Sequence, residues 1–339
     1  FSTGLVYSHA KIADGKEINS LVSAVGPRKF YSTHLRNEEE KLYESVEEAI
    51  EAAKQAKRSI EISHFKSAGK NNWLLFDKSL ELIEKTAEEG TDINFDIYPY
   101  TSTATIFYTL LPDWIAVGGR AKLIENLKNQ DLVKKAIEEM KGREEDFTGS
   151  IIASGNIDKT FIGKTIGEIS KNQGTSVLET VINLLIAAEG KLVIFWPAVS
   201  EENIIKALKS NLSIIASDGS AYSLADRSGG YLPHPRSFGC FPRVLSHYVR
   251  EKNVLSLEEA VKKMTALPSL KAGLPYRGVI RQGFFADITI FNPDTVQDMA
   301  SLENPFQYAQ GINSVIINGQ VALLKGEIKN SGLGQIITG

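Results

Sequence analysis

The chain alternates between two hydrophobic periods, and the clearest unit spans residues 30–66. Short apolar runs of strand character end on a histidine at each side of this unit, first at His34 and then at His64. Between them, residues 39–57 carry apolar side chains at the spacing of an amphipathic helix. A strand, a helix and a second strand of this length predict one parallel βαβ step. Such a step brings both histidines to the carboxyl edge of the sheet, where α/β folds gather functional groups.

The same alternation continues through much of the chain. Helices are predicted at residues 77–90 and 200–209, and strands at residues 93–100, 191–197 and 212–219. Strands that alternate with helices in this way predict an α/β fold with a parallel sheet, either open or closed into a (β/α) barrel.

Residues 104–190 interrupt this rhythm with two helical runs around the strand-like segment SIIASG. A segment of this size between two sheet strands is predicted to be an insertion. It is interpreted either as a lid over the functional site or as a peripheral packing subdomain, and both interpretations fit the pattern.

The hydrophobic period changes again after residue 278, where turn-punctuated, alternating runs predict β-strands. Asn318-Gly319 is the dipeptide typical of a tight hairpin turn. The predicted organisation is therefore a barrel over residues 1–274, with its insertion, and the strands of a small β domain over residues 275–339.

Composition and charge narrow the possible partners. The 339 residues are 42% hydrophobic and carry a net charge of −3, with a sequence pI of about 6.1. The basic residues are dispersed, so neither nucleic acid nor an anionic membrane surface is expected as a partner. The single cysteine, Cys240, excludes an intrachain disulfide framework and favours a reducing, cytoplasmic compartment. No apolar run reaches the length of about 18 residues that a membrane-spanning helix needs.

Motifs of several other enzyme classes are missing from the sequence. It contains no GxSxG nucleophile elbow, no GxxxxGK[ST] phosphate loop and no strand–GxGxxG–helix segment. Cys240 lies in the apolar segment SFGCFPR, which favours a buried, unreactive thiol over a catalytic nucleophile.

Three chemistry-bearing residues are predicted at strand ends. His34 and His64 end the two strands of the βαβ unit, and Asp218 ends the strand at residues 212–219. Two imidazoles and a carboxylate suit zinc, and an open coordination position on zinc generates a nucleophilic hydroxide at neutral pH. A carboxylate beside that water can accept its proton and deliver it to a leaving amine. The structural alternatives are buried core histidines and an aspartate that caps a turn.

Other side chains are candidates for substrate contact or support. Arg236 is suited to hold a substrate carboxylate in a bidentate fork, although it equally suits a salt bridge that fixes a loop. Lys66 offers either a second positive donor or a solvated surface charge, and Tyr98 can hydrogen-bond a scissile carbonyl or oxyanion. Arg36 and Glu38 follow the first histidine closely, so they either orient it or remain solvated.

Six segments of the chain together resemble one known family. They are YSTHLRNE, ISHFKSAGKNNW, FDIYPYTST, IIASDGS, HPRSFGCFPRVL and the tail RGVIRQGFFADITIFNP with INSVIINGQV. In this order, over nearly all of the chain, they resemble the N-acyl-D-amino-acid deacylases (D-aminoacylases) of the amidohydrolase superfamily. The resemblance implies a TIM-like (β/α)8 barrel with a small β-sandwich domain and a zinc site. The implied reaction hydrolyses the amide of an N-acyl-D-amino acid to a carboxylate and a free D-amino acid.

The resemblance also implies a role for each candidate residue. His34 and His64 would be zinc ligands from consecutive strands, and Asp218 would be the catalytic acid and base. Lys66, Tyr98 and Arg236 would bind the small-molecule substrate, with Arg236 holding its carboxylate.

The chain departs from the family pattern at its amino-terminal side. The family's His-x-His motif on the first strand and a zinc-ligating cysteine both lie upstream of the part that matches Phe1, and Cys240 does not correspond to that cysteine. We therefore expect a truncated chain, a split enzyme completed by an N-terminal companion chain, or a decayed and inactive copy. A barrel without its first strands leaves two open edges that need covering.

Two other functions fit the same residues. One is another amidohydrolase activity of the dihydroorotase or hydantoinase type, which the loop with His234 and Arg236 disfavours because it suits a free α-carboxylate. The other is a non-catalytic subunit or scaffold that kept the fold and lost the metal site. Loss of deacylation on replacement of Asp218 would distinguish an enzyme from a scaffold.

Overall fold

The computed structural model describes residues 1–26 and 29–337, so residues 27 and 28 and the last two positions of the predicted C-terminal unit lie outside the described residues. The strands, in chain order, are β1 (Ser2–Gly4), β2 (Phe30–His34), β3 (Ser59–Ile62), β4 (Ile93–Ile97), β5 (Thr103–Ile106), β6 (Ile151–Gly155), β7 (Leu192–Trp196), β8 (Ser213–Ile215), β9 (Ile288–Phe291), β10 (Ile312–Ile317), β11 (Gln320–Leu324) and β12 (Glu327–Ile328). The α-helices are α1 (Gly15–Ser23), α2 (Leu42–Ala56), α3 (Leu75–Glu88), α4 (Asp113–Ala116), α5 (Arg120–Leu127), α6 (Gln130–Glu139), α7 (Glu144–Thr148), α8 (Ile166–Gln173), α9 (Val177–Ala187), α10 (Glu201–Lys209), α11 (Arg236–Arg243), α12 (Leu257–Met264) and α13 (Ala266–Lys271). Helix α11 continues into a π-helix at Val244–Glu251, and short 3-10 helices occur at Lys70–Asn72, Phe107–Leu110, Lys159–Phe161 and Leu224–Gly229.

A 5-stranded parallel sheet carries the predicted functional edge, and its strand order is β1-β2-β3-β4-β8. The predicted βαβ unit is confirmed, because β2 and β3 pair in parallel with Tyr31 opposite Ile60. The sheet is open in the described residues, where β1 and β8 each have one strand neighbour. The predicted α/β fold is therefore present with parallel strands that do not close into a ring within this part of the chain.

Helix α2 packs its apolar stripe against this sheet, as its spacing predicts. Leu42, Val46, Ala49 and Ala53 on that stripe are buried. The helix begins a few residues later than predicted because the Asn37 side chain accepts hydrogen bonds from the Glu39 and Lys41 backbone amides, which holds the preceding residues in a turn.

The insertion forms its own antiparallel sheet, with the strand order β5-β7-β6, and carries helices α4 to α9. The prediction that residues 191–197 return to the parallel sheet is wrong, because Leu192–Trp196 pairs antiparallel with both β5 and β6. A run of five apolar residues fits the centre of either kind of sheet, so periodicity alone does not assign it.

The C-terminal strands form a 4-stranded antiparallel sheet in the order β12-β11-β10-β9. The predicted hairpin is confirmed: Ile317 pairs with Gln320, and Asn318 and Gly319 between them have φ of 49° and 78°. The segment before Ile288 was expected to be a strand and is largely turns. Its glycines have positive φ, which is incompatible with an extended ladder.

A search of the described residues for an apolar helix long enough to traverse a bilayer finds none.

Candidate metal centre and active-site cavity

His34 and His64 meet at the carboxyl edge of the parallel sheet. His34 is the last residue of β2, and His64 follows the end of β3 by two residues. Their ring centroids are 4.3 Å apart, with the rings at 75° to each other. His64 also has a φ of 39°, a left-handed backbone conformation that is uncommon for a residue with a side chain and is concentrated at functional sites.

Glu38 joins the two histidines. One ligand atom from each of His34, Glu38 and His64 lies within 4.8 Å of the others, which is a spacing suited to a shared metal ion. Glu38 Oε1 lies 3.0 Å from His64 Nδ1, and Glu38 Oε2 lies 3.7 Å from His34 Nε2. The sequence pattern allowed Glu38 to orient His34 or to be solvated, whereas its shortest contact is with His64. Arg36, the other orienting candidate, instead pairs with Glu48 at 2.8 Å and donates to backbone carbonyls.

Lys66 lies inside this group rather than on the surface. Its Nζ is 2.6 Å from Glu38 Oε1, 2.9 Å from His64 Nδ1 and 2.8 Å from the His64 carbonyl oxygen. Burial alone would lower the pKa of Lys66, but the neighbouring Glu38 carboxylate raises it above the ordinary lysine value. Burial alone would likewise raise the pKa of Glu38, but Lys66 and the two imidazoles hold it well below its usual range. Both groups are therefore charged at neutral pH.

The donor set fits a zinc ion. Burial lowers the pKa of His34 to about 4, so its ring is neutral at physiological pH. Its Nε2 is buried and has no hydrogen-bond partner, which is uncommon for a buried polar atom unless a ligand satisfies it. A neutral imidazole with a free nitrogen, a second imidazole and an ionised carboxylate are the ligand types that zinc prefers.

Asp218 and Arg236 line the same cavity as the two histidines. Asp218 follows β8 and has a φ of 47°, and its Oδ2 is 2.8 Å from Arg236 Nη2. Arg236 is the first residue of α11 and is only 8% exposed. Its Nη1 is buried without a hydrogen-bond partner. The guanidinium therefore has one nitrogen engaged by Asp218 and one that is buried and unpaired.

Tyr98 supports Arg236 with its ring. The Arg236 guanidinium lies 4.6 Å from the Tyr98 ring centroid, and Lys66 Nζ lies 5.8 Å from it. The Tyr98 hydroxyl donates to Thr103 Oγ1 at 2.9 Å. The ring face, not the hydroxyl, is thus the part of Tyr98 that contacts the candidate residues.

One cavity of about 550 Å³ is lined by His34, Glu38, His64, Lys66, Asp218 and Arg236, and the insertion supplies much of its remaining wall. Arg143, beside α7 of the insertion, pairs with Glu39 at 2.5 Å, and Lys11 pairs with Asp113. Burial raises the pKa of Glu39 to about 7 against the opposing charge of Arg143, so Glu39 loses its proton and completes the ion pair as the pH rises through that value. Of the two interpretations of the insertion, its position at the cavity favours a wall of the site over a peripheral subdomain.

Cys240 is buried and its Sγ lies 3.4 Å from the Ala216 carbonyl oxygen. Burial raises the pKa of its thiol well above the ordinary range, as expected for an unreactive cysteine.

Comparison with known proteins identifies a family for part of the chain and relatives for nearly all of it. Residues 215–323 match the amidohydrolase family. The chain is 32% identical over 321 residues to a D-aminoacylase of Alcaligenes xylosoxydans xylosoxydans, and 29% identical over 320 residues to an N-acyl-D-glutamate deacylase of the same organism. Each alignment covers 94% of this chain and 57% of the relative, so the chain spans little more than half the length of these proteins.

Solved structures show the same similarity. An N-acyl-D-glutamate deacylase of Bordetella bronchiseptica, complexed with zinc and a phosphonate mimic of the tetrahedral intermediate, superimposes with a TM-score of 0.77 at 27% identity. That match covers 95% of this chain and 59% of the other. A D-aminoacylase structure superimposes with a TM-score of 0.75 at 28% identity, and covers 97% of this chain and 60% of the other.

Proposed function

Because this chain is a relative of the D-aminoacylases and carries a segment of the amidohydrolase family, we propose that it takes part in zinc-dependent hydrolysis of N-acyl-D-amino acids. The products are a D-amino acid and a carboxylate. The observation that carries the proposal is the meeting of His34, Glu38, His64, Asp218 and Arg236 at one cavity. The proposal assigns residues 1–274 to the hydrolase unit, with its insertion near 104–190, and residues 275–339 to an accessory β unit.

In this proposal His34, Glu38 and His64 hold the zinc ion, which supplies a Lewis acid and an activated water when bound. Asp218 accepts the proton of the attacking water and delivers it to the leaving amine nitrogen. Its Oδ2 is held by Arg236 at 2.8 Å, which orients the carboxylate and leaves its other oxygen for proton transfer.

Arg236 binds the substrate's α-carboxylate, and its Nη1, which is buried and unpaired in this structure, is the donor that the substrate would satisfy. A guanidinium presents several N–H donors in one plane, so it can hold Asp218 and a second carboxylate together. The Tyr98 ring beneath it fixes the plane of the guanidinium. Lys66 adds a second positive charge beside the reacting groups, and its position between Glu38 and His64 supports those two side chains in the metal-free protein.

The Asp218→Asn variant tests this proposal. With zinc-loaded protein and N-acetyl-D-leucine, we expect kcat/KM to fall by about 10²–10⁴, the range for loss of a general acid–base group. Zinc content should remain that of the wild type. Asp294→Asn, an exposed aspartate on a turn, is the matched control and should retain full activity.

Three results, each obtained with the working form that includes the additional polypeptide proposed below, would contradict the proposal: full activity of the Asp218 variant, equal hydrolysis of N-acetyl-L-leucine, or no hydrolysis by the zinc-saturated wild type. The last result would instead favour the non-catalytic scaffold.

We further propose that the working form includes an additional polypeptide partner that adds strands to the open sheet. Within the described residues, β1 and β8 each pair on one side only, and an unpaired strand edge presents backbone donors and acceptors that favour another strand. Native mass spectrometry of the active material tests this. A monodisperse monomer of 37.2 kDa with full zinc occupancy and full activity would be inconsistent with a partner.

A further inference from the structure

His234 precedes Arg236 by two residues and is enclosed by three aromatic rings. It is only 4% exposed. Its ring lies at 86° to that of Tyr100 and at 87° to that of Phe195, with centroid distances of 5.3 and 5.2 Å, and its centroid is 6.4 Å from that of Tyr98. Edge-to-face contacts of this kind are favourable between aromatic rings. His234 does not line the cavity, so any effect it has on a bound substrate must pass through another residue.

The His234 ring is neutral, with its proton on Nε2. Burial lowers the pKa of His234 well below the ordinary histidine value, the charge of Arg236 lowers it further, and the backbone of Ser102 opposes this shift only in part. The Nδ1 atom accepts the backbone N–H of Arg236 at 3.2 Å. A ring nitrogen that accepts a hydrogen bond carries no proton, so the proton of the neutral ring lies on the other nitrogen.

This histidine supplies hydrogen-bond acceptors to the start of α11. The first backbone N–H groups of a helix have no acceptor within the helix, and α11 begins at Arg236. Pro235 before it offers no side-chain acceptor. The Arg236 N–H instead donates to His234 Nδ1, and the Ser237 N–H donates to the His234 carbonyl oxygen at 3.0 Å. The His234 imidazole is therefore the group that fixes the backbone amide of Arg236.

The Arg236 guanidinium depends on this anchor because its own contacts lie on other elements. Its Nη2 is 2.8 Å from Asp218 Oδ2 in the loop after β8, and its central carbon is 4.6 Å from the centroid of the Tyr98 ring, which follows β4. His234 packs against the same Tyr98 ring. Charge-assisted hydrogen bonds to a carboxylate depend on the orientation of the guanidinium plane. A shift of the Arg236 backbone would therefore weaken the contact with any carboxylate that this residue binds.

We infer that His234 is a positioning residue for Arg236, whose backbone amide it holds through Nδ1 so that the guanidinium meets the substrate carboxylate. His234 itself does not touch the substrate. This inference rests on the proposed function, which gives Arg236 the substrate carboxylate, and it adds the residue that directs the guanidinium.

Two substrates distinguish positioning from a general loss of structure. N-acetyl-D-leucine carries the carboxylate, and N-acetyl-D-leucinamide has a neutral carboxamide in its place. The ratio of their kcat/KM values, measured as acetate release, therefore reports the carboxylate contact. In the zinc-loaded working form that includes the additional polypeptide, His234→Leu removes the acceptor of the Arg236 amide. We expect this variant to lower the ratio by about tenfold, whereas a purely structural defect would lower both kcat/KM values equally.

A conservative variant and a matched control complete the set. An Asn side chain accepts the backbone N–H two residues further on, so His234→Asn should bring the ratio back to within about threefold of the wild type. Ser256 Oγ accepts the Glu259 N–H at 3.1 Å at the start of α12, away from the cavity. Ser256→Ala thus loses a helix-start acceptor elsewhere and should keep the wild-type ratio.

An unchanged ratio in His234→Leu, or an equal loss in His234→Asn, would overturn the inference and leave the proposed function intact. If the wild-type working form hydrolyses neither compound, the proposed function fails. Dissociation constants of the two compounds, from isothermal titration of the same variants, then replace kcat/KM. The same pattern would support the inference, and a wild type that does not bind the carboxylate compound more tightly would overturn it.

Nitrogen-15 NMR of the wild-type imidazoles gives a readout that does not require any variant to fold, and it distinguishes the two tautomers from the charged ring. At pH 7 we expect His234 to be neutral with its proton on Nε2. A charged ring, or a proton on Nδ1, would overturn the inference because Nδ1 could not then accept the Arg236 N–H.

Discussion

Glu38 is the residue on which the candidate metal centre depends, because it contacts the His64 ring and Lys66 and lies near His34. Glu38→Gln removes the ionised oxygen from the donor set, so we expect zinc affinity to fall by at least about tenfold. Competition with a chromophoric chelator measures this. Glu40→Gln alters an exposed carboxyl two residues away and should leave affinity unchanged. Equal affinities in the two variants would show that Glu38 is not a ligand.

Strand-end position was sufficient to predict that His34 and His64 meet, since the parallel pairing of β2 and β3 follows from hydrophobic periodicity. The place of Glu38 could not be predicted this way, because it depends on how the loop after β2 turns back toward the neighbouring strand. The direction of the Tyr98 hydroxyl could not be predicted either, because its acceptor, Thr103, lies on the insertion sheet.

The buried Glu61 side chain on β3 makes the stability of the folded protein depend on pH. It is 6% exposed, and its Oε2 has no hydrogen-bond partner. Burial, reinforced by Asp96, raises its pKa to about 8. The folded state therefore binds a proton more tightly than the unfolded state, so the stability due to this group is complete below about pH 4.5 and is lost as pH rises toward 8.

Glu61→Gln mimics the protonated form and removes this dependence. Between pH 5 and pH 8, the free energy of unfolding of the wild type should fall relative to that of the variant by at least about 1 kcal/mol. Urea unfolding at the two pH values measures it. Glu47→Gln, on the exposed face of α2, should follow the wild type. If the free energies of unfolding of Glu61→Gln and the wild type change equally between the two pH values, the pKa of Glu61 is not raised in the folded state.

At the scale of elements, the loop after β8 and the start of α11 hold Asp218 and Arg236 together through close backbone packing. A Cβ on Gly219 would lie 2.8 Å from Ser237 Cα and 3.0 Å from its Oγ, so Gly219→Ala must push these two segments apart. We expect kcat/KM for N-acetyl-D-leucine to fall by about tenfold or more, with a stability loss of about 1–3 kcal/mol.

Gly334→Ala is the control for that substitution, since a Cβ there meets nothing within 4 Å. Steady-state kinetics and thermal unfolding measure both variants. Wild-type kinetics in Gly219→Ala would show that the spacing of these two segments does not govern the site.

Helices and turns that nearby residues specify could be predicted from the sequence. Strands whose pairing depends on residues distant in the chain could not. The apolar stripe of α2 and the turn at Asn318-Gly319 specify their structures through nearby residues. Strand β7 has the same apolar composition that a parallel strand would have, and only its neighbours β5 and β6 make it antiparallel. Strand pairing over long sequence separations is decided by tertiary packing, which a single sequence does not display.

At the scale of the whole molecule, the parallel sheet and the insertion share one cavity. The sheet contributes the chemistry-bearing edge, and the insertion contributes much of the remaining wall. The strand-end residues of the sheet could be predicted from the sequence, whereas the ion pairs that the insertion makes with the loop after β2 and the segment before α1 join residues far apart in the chain and could not.

The position of Lys66 has a consequence for how the protein depends on metal. Its ammonium balances the charge of Glu38 and engages His64, so the centre has an internal counter-ion. We therefore expect chelator-treated wild type to keep a cooperative thermal transition, whereas a structural zinc domain unfolds when its metal is removed. Lys66→Met should lose stability on chelation far more than the wild type does, as followed by circular dichroism.

Loss of the cooperative transition in chelated wild type would refute this expectation. If it holds, the polypeptide can fold in cells that contain little zinc and remain folded until zinc binds. Zinc availability would then determine the fraction of the molecules that is active, without changing the amount of folded protein.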